Sequence, residues 1–120
     1  MIHGSRYDYS KVEDDAVDEE VRELLVKLYS TDTIIIVSWR EDSCRGETES
    51  WLYNNKIPFS ALYMRWALDN RNDAIVKKEI AETYILPMYN VRGVFDDRNR
   101  VVATWREMGL TCFQVAYGDF

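Results

Sequence analysis

The chain has 120 residues, a formal net charge of −6 and a composition that is 47% hydrophobic and 13% aromatic. That size and apolar content fit one compact domain, residues 1–120, and exclude a disordered chain. No apolar run approaches the ~20 residues of a membrane-spanning helix, and the polar, aromatic opening at 1–9 is not a secretory leader.

Residues 13–23 hold seven carboxylates and one arginine. The run reads as the solvated start of a helix, where acids complement the dipole, rather than as a docking surface. Over 18–29, Val21, Leu24, Leu25 and Leu28 recur at helical spacing with charges between them. Residues 33–37 are short, β-branched and unbroken, as expected of a strand buried on both faces of a parallel sheet. A polar loop at 38–46 leads to a short helix at 47–53, and a second strand is expected at 61–64, after Pro58. A helix at 73–84 would turn Ile75, Val76, Ile80 and Tyr84 inward and leave Lys77 and Lys78 as solvated surface. A third strand at 91–95 runs into Asp96-Asp97. The helix at 99–108 buries Val101, Val102 and Trp105 and stops at Gly109. A fourth strand occupies 111–115. Trp51, Trp66 and Trp105 read as core rather than as base-stacking platforms, and His3, the only histidine, as an inert terminal residue. This alternation predicts right-handed crossovers and an α/β fold, a parallel sheet with helices on both faces in three layers.

In such a sheet function gathers at the carboxyl ends of the strands. The first strand ends in Ser38-Trp39-Arg40-Glu41-Asp42, the second leads to Arg65 and Asp69-Asn70-Arg71-Asn72-Asp73, and the third ends in Asp96-Asp97-Arg98. Hydroxyl, arginines and paired acids on one rim are what a Mg²⁺-phosphate site requires, since carboxylates offer hard oxygen ligands and guanidinium holds phosphate oxygens. Taken singly, each piece has a plainer reading, and Asp-Asp after a strand also serves as a turn and helix cap. The net charge of −6 argues against a broad grip on nucleic acid but leaves room for recognition of one strand end. Cys44 and Cys112 lie outside metal-ligand spacing, so reduced thiols in a cytoplasmic protein are expected.

A strand ending in Ser38-x-Arg40, an Asp69-x-Arg71 segment before a helix and a strand ending in Asp96-Asp97-Arg98 resemble the haloacid dehalogenase superfamily. Within it the chain is most similar to the phosphatase domain of phage polynucleotide kinase/3′-phosphatase. Two further segments carry the resemblance: Tyr7-Asp8, and the tail from Val101-Val102-Ala103-Thr104-Trp105-Arg106 to Gly118-Asp119-Phe120. The resemblance implies Mg²⁺-dependent removal of 3′-phosphates from nucleic-acid ends through an aspartyl-phosphate. It implies that Ser38 bonds a phosphate oxygen, that Arg40 clamps substrate, and that Asp69, organising basic side chains, and Arg71 belong to the phosphate- and substrate-binding residues. Asp96 and Asp97 would be the metal-binding acids, with Arg98 following them on the substrate side.

The departures bear on activity. The nucleophile motif Asp-x-Asp-Gly-Thr is absent, Trp39 stands where the family has glycine, Asn72 aligns with the family lysine, and only Arg6 can match a first-loop arginine. The covalent step then lacks its nucleophile, and no turnover by this chain alone is expected. Lys77 would partly replace the missing lysine if it leans toward the rim. The other reading is a catalytically silent binding or assembly module of the same fold, acting as a homo-oligomer or with a partner chain.

The nucleophile strand of that superfamily lies in the middle of the sheet, and without it two ladders would stand roughly 9–10 Å apart. Three outcomes are open: the strands at 33–37 and 91–95 pair directly, a partner chain supplies the missing strand, or residues 1–9 fill the gap. The last is the least favoured, because His3-Gly4-Ser5-Arg6 is a poor buried strand by composition.

Overall fold

A computed structural model describes residues 2–5, 19–116, 118 and 119. The acids at 13–18, Arg6, Tyr7-Asp8 and Phe120 lie outside the described residues. The elements in chain order are β1 (Ile2–Ser5), α1 (Glu19–Tyr29), β2 (Ile35–Glu41), α2 (Arg45–Asn54), β3 (Ala61–Arg65), α3 (Asp73–Ile80), β4 (Val94–Asp96), α4 (Asn99–Glu107) and β5 (Cys112–Gln114). The five strands form one sheet in the order β3-β2-β1-β4-β5, and every neighbouring pair is parallel.

The middle of the sheet is filled from within the chain. Ile2 pairs with Ile35 on one side and with Val94 on the other, and Ser5 pairs with Ser38. The least favoured of the three outcomes is therefore the one adopted, and β2 and β4 do not pair with each other. A central strand is held by its backbone ladders, and those do not depend on side-chain type. His3 and Gly4 lower the strand propensity of the segment without removing a donor or an acceptor.

Alternate residues of β2 feed two cores. Ile34 and Ile36 face α1 and α2, where Leu25, Trp51, Leu52, Met64 and Phe95 are buried. Ile35 and Val37 face α3 and α4, against Val76, Ile80, Val101, Val102 and Trp105. The result is the expected three-layer architecture, with a helical layer on each face.

β2 also runs further than its apolar stretch suggests. The expected loop at 38–46 is strand as far as Glu41, because Ser38 and Arg40 are buried and Trp39 packs against the α3/α4 core. In α3 the buried stripe is Asp73, Val76, Lys77 and Ile80, while Ile75, and Tyr84 in the π-helical turn Ala81–Ile85 that follows, are exposed. The inward face is thus rotated from the one that apolar residues alone define, and Lys77 belongs to the interior. Asn72 caps this helix, its side chain accepting from the Ala74 N–H at 2.8 Å. Of the three tryptophans expected in the core, Trp51 and Trp105 are buried, whereas Trp66 is exposed. Beyond α4 the chain turns at Gly109 with φ +84°, the left-handed stop that a glycine supplies.

Candidate functional site

The carboxyl end of β4 is organised around one carboxylate. Asp96 is 1% exposed and faces α3 and α4. Its Oδ2 accepts the Trp105 Nε1–H at 3.0 Å and lies 3.5 Å from the Lys77 ammonium. Its Oδ1 accepts the backbone N–H of Asp97 at 2.8 Å and of Arg98 at 3.5 Å. A buried charge is tolerated only when paired and hydrogen-bonded, and Asp96 meets both conditions. Lys77, equally buried, reaches it because position 77 lies one turn beyond Asp73 on the inner stripe of α3.

A second ion pair ties the same two elements together. Arg98 Nη1 donates to Asp73 Oδ2 at 2.6 Å, and Asp73 is 1% exposed. Asp73 Oδ1 is buried with no hydrogen-bond partner among the described residues. The C-terminal segment crosses above this turn: the Asn99 N–H donates to the Gly118 carbonyl at 2.8 Å, and a Cβ at Gly118 would collide with the Asp97 carbonyl. Only glycine allows that approach, so the tail braces the turn that carries Asp96 and Asp97.

Ser38 and Arg40 sit at the same edge of the sheet but on the other face. Ser38, beside Ser5 of β1, accepts the Arg40 N–H on its hydroxyl at 3.2 Å. The Arg40 guanidinium lies 5.8 Å from the centre of the Trp51 ring of α2. The expected single rim is therefore split: Asp96, Lys77, Asp73 and Arg98 belong to the α3/α4 face, and Ser38 and Arg40 to the α1/α2 face. The strands that carry them, β2 and β4, flank β1. Trp39 takes up the intervening residue of β2, half-buried, with the Arg65 guanidinium 4.6 Å over its ring.

Asp69 and Arg71 are not part of this cluster. Arg71 binds Asp69 at 2.8 Å and Glu79 at 2.6 Å, forming a surface triad on the outer side of α3. The hydrogen bonds from Arg71 hold the Asp69 carboxyl at about 2, well below the ordinary carboxylate range, and lower that of Glu79 as well. Arg71 is shared between two carboxylates, so it stands in a separate group on the surface. Arg98 is likewise paired, with Asp73.

The thiols do not supply a nucleophile. Burial, and then the charge of Asp96, pushes the Cys112 thiol up to about 11, and burial raises Cys44 too. Thiolate is the reactive form, so both are inert near neutral pH. For a metal, no group of three or more His, Cys, Asp or Glu side chains is assembled among the described residues. Mg²⁺ needs fewer, because it keeps several waters and takes one or two carboxylates together with substrate phosphate. The half-exposed Asp97, next to Asp96, fits that requirement.

Lys77, expected at the surface, is buried beside Asp96, and Asn72 caps α3. The signal that identifies Lys77 is its spacing: 73, 76, 77 and 80 form one helical stripe that begins with an acid.

Comparison with known proteins identifies the family of the chain. A family described as the polynucleotide kinase PNKP phosphatase domain matches residues 1–120. A protein named as a bifunctional polynucleotide kinase/RNA ligase, from Autographa californica nuclear polyhedrosis virus, is 34% identical over 84 residues, 68% of this chain and 12% of the relative. A chain in the structure of the Pnkp1/Rnl/Hen1 RNA repair complex superposes with a TM-score of 0.93 at 34% identity, covering 99% of this chain and 43% of that one. A second Pnkp1/Rnl/Hen1 complex gives 0.91 at 34% identity, over 99% and 46%. The chain thus spans less than half the length of these solved relatives. Matched from its first residue to its last, it belongs to the polynucleotide kinase PNKP phosphatase-domain family.

Proposed function

We propose that this chain is the phosphate-recognising part of a polynucleotide 3′-phosphatase domain, and that alone it binds the 3′-phosphorylated end of a nucleic-acid strand without turning it over. The observation that carries this reading is the buried Lys77–Asp96 pair at the carboxyl end of the sheet, beside the end of β1. Burial fixes the ammonium in one position and excludes the water that would otherwise screen it. A cation so placed stabilises charge on a phosphoryl group with no reorganisation. Ser38 donates its hydroxyl to a phosphate oxygen from the other side of β1, with Arg40 beneath it. Asp97, supported by Asp96, would hold Mg²⁺, which when bound neutralises charge on the phosphoryl oxygens.

The covalent step needs a carboxylate free to attack phosphorus. Asp96 and Asp73 are both held in buried ion pairs, and the nucleophile motif does not occur in the 120 residues. A nucleophile from outside these residues completes the reaction. The solved relatives belong to RNA repair complexes, which favours an RNA end, and the two free cysteines fit the expected cytoplasmic setting. The second reading, a silent assembly module, draws on the multi-chain nature of those complexes.

Fluorescence anisotropy with matched oligonucleotides ending in a 3′-phosphate or a 3′-hydroxyl tests the proposal. The chain is expected to prefer the phosphorylated end, and Lys77→Met to reduce that preference roughly tenfold or more, the scale of a hydrogen bond to a charged group. Inorganic phosphate release should stay at background. Equal binding of both ends would favour the assembly module, and phosphate release by the chain alone would refute the division of labour.

A further inference from the structure

The turn after β3 presents apolar surface that the Lys77–Asp96 cluster does not use. Trp66 is 52% exposed and Leu68 86% exposed. Leu68 has φ +68°, a left-handed conformation that a branched side chain adopts only when its surroundings impose it. Those surroundings are specific. The Asp69 N–H closes the turn onto the Trp66 carbonyl at 3.1 Å, and the Ala67 N–H donates to Asp42 Oδ1 at 3.2 Å. Arg65, buried beneath, donates to the Asp69 carbonyl at 2.5 Å and to the Trp39 carbonyl at 2.9 Å, and pairs with Glu41 at 3.3 Å. The fold therefore holds an indole outward on a braced turn.

The position of that indole relates it to the phosphate end. Trp66 shares a shallow cleft with Val76, Ile80 and Tyr84, so it stands on the α3 side of the sheet, as Lys77 and Asp96 do. β3 is separated from β4 by β2 and β1, three strand spacings or about 14 Å. A strand anchored by its terminal phosphate near Lys77 and led across β1 and β2 reaches Trp66 with a base upstream of its end. The charged residues that line the cleft with Trp66 are Asp69, Arg71 and Glu79, joined through Arg71, while Arg65 beneath the turn is paired with Glu41. They leave no cation for a backbone phosphate, and what the turn offers is a flat aromatic face, which any base can stack on.

We propose that Trp66 is a stacking platform for a nucleobase upstream of the 3′ end of a single-stranded polynucleotide. The inference rests on the edge being a 3′-end site, and one experiment separates the two. Labelled pentanucleotides with a 3′-phosphate or a 3′-hydroxyl are titrated against wild type, Trp66→Ala and Trp66→Phe, with a nucleoside 3′-monophosphate as competitor. Trp66→Ala is expected to weaken both pentamers roughly tenfold, to leave the monophosphate unchanged, and to keep the wild-type melting temperature; Trp66→Phe should recover most of the loss. Pentamer binding that is unaltered by Trp66→Ala overturns the platform while the edge reading stands. A Trp66 effect with no preference for the 3′-phosphate refutes the edge reading instead. If neither pentamer binds wild type, both fall. If Trp66→Ala leaves pentamer binding intact but abolishes self-association in light scattering, the surface is a protein contact and the platform is wrong.

Discussion

Asp96→Asn is expected to cost about 3–5 kcal/mol of folding stability, the usual penalty for removing one member of a buried ion pair. The amide keeps an acceptor for Trp105 but leaves the Lys77 ammonium buried without its counter-charge, 3.5 Å from where the carboxylate stood. For a domain with about 5–15 kcal/mol in total, this is a large fraction. Urea unfolding monitored by tryptophan fluorescence measures it. The double variant Asp96→Asn with Lys77→Met should recover part of the loss, because the stranded charge is gone, and the coupling should exceed about 1 kcal/mol. A single variant as stable as wild type would mean that the pair is not closed in solution.

His3→Pro tests the middle of the sheet. β1 is paired on both sides, so a proline there removes a ladder donor and places its ring in a central strand, where proline is essentially never found. Without β1, β2 and β4 face each other across two spacings, and each buried backbone group left unpaired costs on the order of 1–3 kcal/mol. The expected result is loss of cooperative unfolding, or a destabilisation of about 3 kcal/mol or more. Wild-type behaviour would show that Ile2–Ser5 does not bridge the two strands.

Where local pattern and packing agree, the sequence was readable. Val101, Val102 and Trp105 lie inward on α4 as their spacing indicates, and Gly109 ends the segment with a positive φ. Where polar groups are buried, it was not. Ser38 and Arg40 read as loop because they are polar, yet they extend β2, since a strand end over a helical layer can bury a guanidinium against Trp51. For the helix expected at 73–84, counting only apolar residues places Ile75 and Tyr84 inside. The true stripe includes Asp73 and Lys77, whose partners, Arg98 and Asp96, come from β4 and the turn after it, a pairing that no local window contains. β1 was discounted for its glycine and serine, although a four-residue central strand is specified by its two neighbours more than by itself. Trp66 was read as core from residue type alone, and the turn that displays it depends on Asp42 and Arg65, distant in sequence.

The most direct test of the account is to map amide shifts by heteronuclear NMR as a 3′-phosphorylated oligonucleotide is added, with the 3′-hydroxyl strand as control. Shifts specific to the phosphorylated strand should appear at Ser38–Arg40, at Asp73–Lys77 and at Asp96–Arg98, the three segments that carry the two groups. Identical shifts with both strands, or phosphate-specific shifts confined to surfaces away from these segments, would contradict it.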